Sequence, residues 1–122
     1  MDITPIIPQD MNVITSYGEG SFVINNEEYN GSIILSPNSV FKWEIESFEN
    51  ISTKELKYIE ELNPEILIIG CGDTHQPIPI EIRKHFDDLN IGVEIMTTGA
   101  ACRTYNVLLA EGREVIAALV KV

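Results

Sequence analysis

The stretch MTTGAACRTYNVLLAEGR, residues 96–113, decides how the chain must fold. It follows a short apolar run, Gly92-Val93-Glu94-Ile95-Met96, which predicts the end of a buried strand. Small residues then open a helix expected from about Gly99 to Glu111, with Gly112 placed for a left-handed cap. Residues 115–120 predict a last strand. Upstream, Ile66-Leu67-Ile68-Ile69 is wholly apolar, the pattern of a strand covered on both faces. Two buried strands joined by a helix imply a right-handed parallel crossover. Residues 66–69 and 93–96 are therefore expected to be adjacent and parallel.

Two more helices fit around these strands. Ser52-Thr53-Lys54-Glu55 reads as a capping box, with Ser52 accepting from the third helical amide and Glu55 reaching back. Leu56, Ile59 and Leu62 mark its buried face, and Asn63-Pro64 stops it. Pro79 suits a second helix start. Ile82, Phe86 and Leu89 follow at helical spacing until Asn90 and Gly92 break the pattern. The first half reads as β. Residues 13–17 and 21–25 are strands around Gly18-Glu19-Gly20, and Asn25-Asn26-Glu27-Glu28 is a turn. Residues 29–35 form a third strand with a bulge at Gly31. Ser36-Pro37-Asn38-Ser39 turns into a strand holding Val40, Phe41, Trp43 and Ile45, with Trp43 as a core anchor. The order is a β-meander followed by α-β-α-β-α-β, so the sheet should be mixed.

The chain has 122 residues, enough for one domain with a real core. Nineteen acidic against eight basic residues give a net charge of −11, which argues against a nucleic-acid or anionic-membrane surface. Cys71 and Cys102 make no disulfide framework and are expected to stay reduced. The start, MDITPIIPQD, has neither the basic segment nor the apolar core of a signal peptide. The longest apolar run falls far short of the roughly 20 residues that span a bilayer. A soluble, cytoplasmic protein that does not span a membrane is the expectation.

Several residues invite chemistry. If the two central strands are parallel neighbours, Gly70-Cys71-Gly72-Asp73 and Thr97-Thr98-Gly99 open at one carboxyl edge, where ligands of open α/β sheets usually sit. Gly70 and Gly72 would allow close backbone approach. The amides of Gly99, Ala100 and Ala101 would form a helix-start anion site with Arg103 as counter-charge. The competing reading is that these glycines only make tight turns, since the third Gly of a dinucleotide fingerprint is missing. Cys102, beside Arg103 in the first turns, is placed where a thiolate is favoured, but a small buried thiol is the stronger reading, since free Cys is among the most buried residue types and no motif supplies a base. Cys71, Asp73, His75 and His85 match no zinc spacing, with His85 expected on the exposed side of its helix, so no metal and no cofactor is expected. Thr104, Tyr105 and Asn106 add hydrogen-bonding side chains that a purely core-filling helix would not need. Glu27-Glu28 and Glu60-Glu61 read as solvated faces, and Glu111-Gly112-Arg113 as a helix end.

Met96-x-Thr98-Gly99-Ala100-Ala101-Cys102-Arg103-Thr104-Tyr105-Asn106-Val107-Leu108, followed by Glu111-Gly112-Arg113, closely resembles a small, widespread family. It is called Mth-like after its archaeal member and has long been catalogued as a domain of unknown function. Its eukaryotic relative is the third assembly factor of mitochondrial respiratory complex I. Tyr17-Gly18-x-Gly20, Gly31-Ser32, Trp43 and Ile69-Gly70-x-Gly72 also fit, so the resemblance covers nearly the whole chain. It implies a single compact three-layer α/β domain over residues 1–122, with a mixed central sheet and an added N-terminal β-meander. It implies no established reaction, only a scaffolding role in assembling a membrane complex. The want of a targeting peptide fits a prokaryotic version.

The leading expectation is a non-enzymatic, assembly-factor-like protein that binds a protein partner through the surface around Thr98, Gly99, Cys102, Arg103, Thr104, Tyr105 and Asn106. The alternative is a small-molecule or anion-binding protein, or an enzyme, with a cleft between Gly70–Gly72 and the helix start at Thr98–Arg103.

Overall fold

A computed structural model describes residues 10–122. Three strands, β1 (Ile14–Gly18), β2 (Ser21–Ile24) and β3 (Glu27–Asn30), pair antiparallel in sequence order. Asn25 and Asn26 turn β2 into β3, both at positive φ (50° and 69°), as a two-residue hairpin turn requires. A five-stranded sheet holds β4 (Ile33–Leu35), β5 (Val40–Lys42), β6 (Ile66–Gly70), β7 (Gly92–Met96) and β8 (Val115–Leu119), in the order β5-β4-β8-β6-β7. The pairs β6–β7 and β6–β8 are parallel, while β4 runs antiparallel to β5 and β8. The central sheet is mixed and its two apolar strands are parallel neighbours, as the sequence predicts.

Three helices and one 3-10 turn (Phe48–Asn50) complete the described residues: α1 (Lys57–Leu62), α2 (Ile80–Asp88) and α3 (Thr98–Ala110). Strand alternation sorts them onto two faces. Leu67, Ile69, Ile116 and Ala118 share a core with Leu56 and Ile59 beside α1, and with Ile82 and Phe86 of α2. Ile68, Val115, Ala117 and Leu119 share the opposite core with Ala101, Cys102, Tyr105 and Leu109 of α3. Ile14, Phe22 and Ile24 of the small sheet close that second core. The layers are thus α1 with α2, the central sheet, and α3 with the three-stranded sheet.

Several local expectations need correction. Residues 29–35 are not one bulged strand. Gly31, at φ +88° and donating its amide to the Gly20 carbonyl, turns the chain so that β3 and β4 enter different sheets. The expected meander is therefore divided between two sheets. Trp43 lies just beyond β5 but is buried, as an anchor should be. Glu55 does reach back to the Ser52 amide (3.0 Å), but the Ser52 hydroxyl is also bonded to that carboxylate, and regular helix begins only at Lys57. Leu62 and Leu89 are exposed (42% and 41%), because one ends its short helix and the other follows its helix, both past the core. His85 is half-buried rather than outward, hydrogen-bonded to Glu60 of α1 and edge-on to Phe86.

One polar contact ties the small sheet to the rest. The backbone N–H and C=O of Ile14 both point away from β2, toward α3. The Asn106 carboxamide meets them as a neighbouring strand would: its Oδ1 accepts from Ile14 N–H (3.1 Å) and its Nδ2 donates to Ile14 C=O (2.8 Å). Tyr105 adds a hydroxyl bond to the Asn12 carbonyl (3.0 Å). Asn106→Leu keeps the volume but leaves two buried backbone groups unpaired. It is expected to lower stability by about 2–4 kcal/mol in a urea melt. A loss below about 0.5 kcal/mol, the usual range for a surface change, would show that the pair carries no weight.

Candidate functional site

The β6 loop and the start of α3 do meet at the carboxyl edge of the parallel strands. They were expected to face each other across a cleft, and instead they are joined. Thr98 N–H donates to Gly72 C=O (3.0 Å), and Gly72 N–H donates to Thr98 Oγ1 (2.9 Å). Thr98 Oγ1–H in turn donates to Val120 C=O (2.7 Å), while Cys71 N–H donates to Met96 C=O (2.9 Å). One buried hydroxyl thereby fixes the ends of β6, β7 and β8 to one another. Gly70 makes the approach possible: a Cβ there would lie 2.9 Å from Thr98 Cα, against unyielding backbone. Gly70 serves close packing of chain on chain, while Gly72, at φ +110°, serves the turn that brings its amide and carbonyl to Thr98.

The helix start is also covered. A Cβ at Gly99 would fall 2.6 Å from the Tyr17 hydroxyl, so glycine lets the β1 phenol sit against the first turn of α3. Arg103 Nη2 donates to that same hydroxyl (3.0 Å), with its guanidinium carbon 6.0 Å from the ring centre. Arg103 is itself exposed.

Cys102 is wholly buried, and burial pushes its thiol up to about 12, although the neighbouring Arg103 charge pulls the other way. Desolvation outweighs the helix start and the cation that favoured a thiolate. The sequence-predicted residues thus fall into two groups. Thr98, Cys102, Tyr105 and Asn106 are buried, and Gly70 and Gly72 lie under the joint. Arg103 faces out, with Thr104 and Gly99 half-exposed beside it. Sequence reasoning missed Tyr17 as a neighbour of Arg103, and Val107, which is 56% exposed one turn further along the same face.

Other hollows lie elsewhere. A groove of about 360 Å³ at the amino edge of β6 and β8 is lined by Met11, Pro37, Leu62, Pro64, Leu109 and Arg113, among others, and by none of the sequence-predicted residues. At its rim Arg113 pairs with Glu65 (2.7 Å), which holds the Glu65 carboxyl below its usual range. Among the described residues, no group of three or more His, Cys, Asp or Glu side chains is gathered to hold a metal. Cys71 is buried and directs its thiol at the Thr74 carbonyl, while Asp73 and His75 are exposed.

A three-layer α/β domain with a mixed sheet, its carboxyl edge closed by its own backbone, defines the class. Residues 14–120 match the family model described as protein of unknown function (DUF498/DUF598), and the chain belongs to this family. It is 36% identical over 101 residues to the 13 kDa major membrane protein of Francisella tularensis, covering 81% of this chain and 82% of that one. It is 38% identical over 113 residues to NADH dehydrogenase (ubiquinone) 1 alpha subcomplex assembly factor 3 of Drosophila melanogaster. That match covers 88% of this chain but only 58% of the assembly factor's length. The solution structure of a Bordetella pertussis protein, described as a Mth938-like domain, superposes with a TM-score of 0.83 at 28% identity. It covers 98% of this chain and 92% of that one. Among the described residues, no helix is long and apolar enough to cross a membrane.

The state of Cys102 is open to direct measurement. In a Cys71→Ala background, Cys102 is expected to resist iodoacetamide at pH 8.5 in the native protein and to react once denaturant is added, read as intact mass. Because the folded thiol keeps its proton where the unfolded one loses it, stability should also fall as pH rises past the ordinary thiol range of about 8.5. Rapid labelling of the native protein would restore the nucleophile reading.

Proposed function

We propose that the protein is a non-enzymatic, assembly-factor-like binding protein, acting as one domain over residues 1–122 and docking a protein partner on the outer face of α3. The observation that carries this reading is the division of labour within one helix. Thr98, Tyr105 and Asn106 spend their polar groups on the protein's own backbone. Arg103 and Val107 remain on the outside, one turn apart. Arginine is among the residues that partner surfaces favour at their centres. Family membership supports it, since the curated Drosophila relative is named for assembly of a respiratory complex. The cytoplasm is the compartment we infer, on two buried thiols that form no disulfide. The small-molecule or anion alternative loses its footing where Thr98 and Gly72 close on each other.

Affinity purification from the native host, with metabolite extraction of the same sample, tests this. Arg103→Ala should leave the melting behaviour nearly intact, within about 0.5 kcal/mol. It should weaken capture of a specific protein by a factor on the order of ten to a hundred, the cost of a lost charge-assisted contact. Equal capture by wild type and variant, or a stoichiometric small molecule in the extract, would contradict the reading.

A further inference from the structure

The groove at the amino edge of β6 and β8 comes from an early stop in β4. The last β4–β8 pair is Leu35 with Ala117, after which Ser36 and Pro37 leave the sheet. In that register Pro37 would stand opposite Val115, and proline has no N–H to offer a ladder. Val115 and Ile116 therefore have no β4 residue paired beside them. Met11, Pro37, Leu62, Pro64 and Leu109 line the space that is left, about 360 Å³. That is more than twice the roughly 150 Å³ in which an apolar cavity holds benzene, so two large apolar side chains fit. Leu62 stands on its wall 42% exposed, an apolar residue that the core does not cover.

The rim of this groove is acidic. Arg113 belongs to the lining, but Glu65 already holds its guanidinium through Nε (2.9 Å) and Nη2 (2.7 Å). Glu111 acts on the same charge, and Glu114 lines the groove itself. Glu61 and Asp10 adjoin Leu62 and Met11 in the chain. Among the described residues, five exposed carboxylates thus stand on or next to the lining, against one guanidinium that is paired. Such a rim repels anionic lipid, phosphate and acidic polymers. A second copy of this chain carries the same −11 charge and the same rim, so it would bring like charges together. A peptide segment with apolar side chains between lysines or arginines matches both floor and rim.

We propose that this groove docks a short basic and apolar segment of a protein partner. Two large apolar side chains enter it, and the flanking Lys or Arg residues meet Glu111 and Glu114. Apolar contact holds the segment, while the rim charges select it and speed its approach. The surface is separate from the outer face of α3 and asks nothing of Arg103. One groove of this size buries less than a standard interface, so the contact by itself is weak.

Titration of isotope-labelled protein with two capped peptides, followed by amide chemical shifts, tests the proposal. The probes are acetyl-Lys-Lys-Leu-Leu-Lys-Lys-amide and its counterpart with glutamate for every lysine. The lysine peptide is expected to shift the amides of Leu62, Leu109 and Glu114, and to bind at least about tenfold more tightly than the glutamate peptide. Leu62→Ser should weaken it by a factor on the order of ten, the loss of one large apolar contact. Glu111→Lys together with Glu114→Lys should reverse the preference between the peptides. Glu44→Lys with Glu46→Lys makes the same change of charge beside Lys121, at the other end of the sheet. At physiological salt, where charges are screened beyond about 8 Å, that pair should leave the affinity within about threefold of wild type. Thermal melts confirm that each variant is folded, and if Leu62→Ser is not, the exposed charge pairs carry the test. The inference is overturned if neither peptide binds, if both bind alike, or if the two charge pairs act equally. A wild-type dimer that Leu62→Ser converts to monomer in sedimentation would assign the groove to a second copy and overturn it too. None of these results touches the α3 reading, which turns on the Arg103→Ala capture from the native host.

Discussion

The carboxamide of Asn106 is the interaction on which the arrangement of layers depends. A three-stranded antiparallel sheet is marginal by itself and must bury one face. Here β1 would present an open edge to α3, and Asn106 pairs with it at Ile14 as a strand would. The bond fixes both the register of β1 against the helix and which face of the small sheet is turned inward. Phe22 and Ile24 then meet Tyr105 and Leu109 in the second core. A buried amide with both ends satisfied is worth far more than its net hydrogen bonds, because an alternative packing would leave it unpaired in an apolar core.

Thr98 plays the corresponding part at the other end of α3. Its hydroxyl accepts from the β6 loop and donates to the residue just past β8, closing the edge where α/β proteins commonly bind ligands. Bonded chain takes the place of a ligand there. On the proposed reading, function falls instead to the outer face of the helix, where Arg103 and Val107 are exposed. The same residues that make the segment 96–113 so distinctive are, for the most part, the joints of the fold.

That division explains what could be read in the sequence. Apolar residues 66–69 and the repeated strand–helix alternation give the parallel core directly, since a strand covered on both faces has no other pattern. Gly31 could not be resolved between a bulge and a turn, because both use glycine and only the partner strands decide. The stripe at Leu56, Ile59 and Leu62 overran its helix, since periodicity does not say where the neighbouring sheet ends. In α3 the polar density was legible but its direction was not. Asn106 lies on the buried arc among Cys102, Tyr105 and Leu109, and a polar residue on an apolar arc is the sequence signal of an internal joint rather than a binding group. Tyr17 could not be joined to Arg103 from sequence, being 86 residues away on a strand whose position only the folded layers set.

Native-state hydrogen exchange at the Ile14 amide tests the central claim most directly. Among the described residues that N–H has no strand partner, and the Asn106 side chain accepts from it. If Asn106 is the joint between the layers, Ile14 should exchange only through global unfolding, with protection equal to that of the Ile68 amide in β6. Exchange at the rate of an open sheet edge, while Ile68 stays protected, would contradict the account and make the small sheet an appendage that the core does not hold.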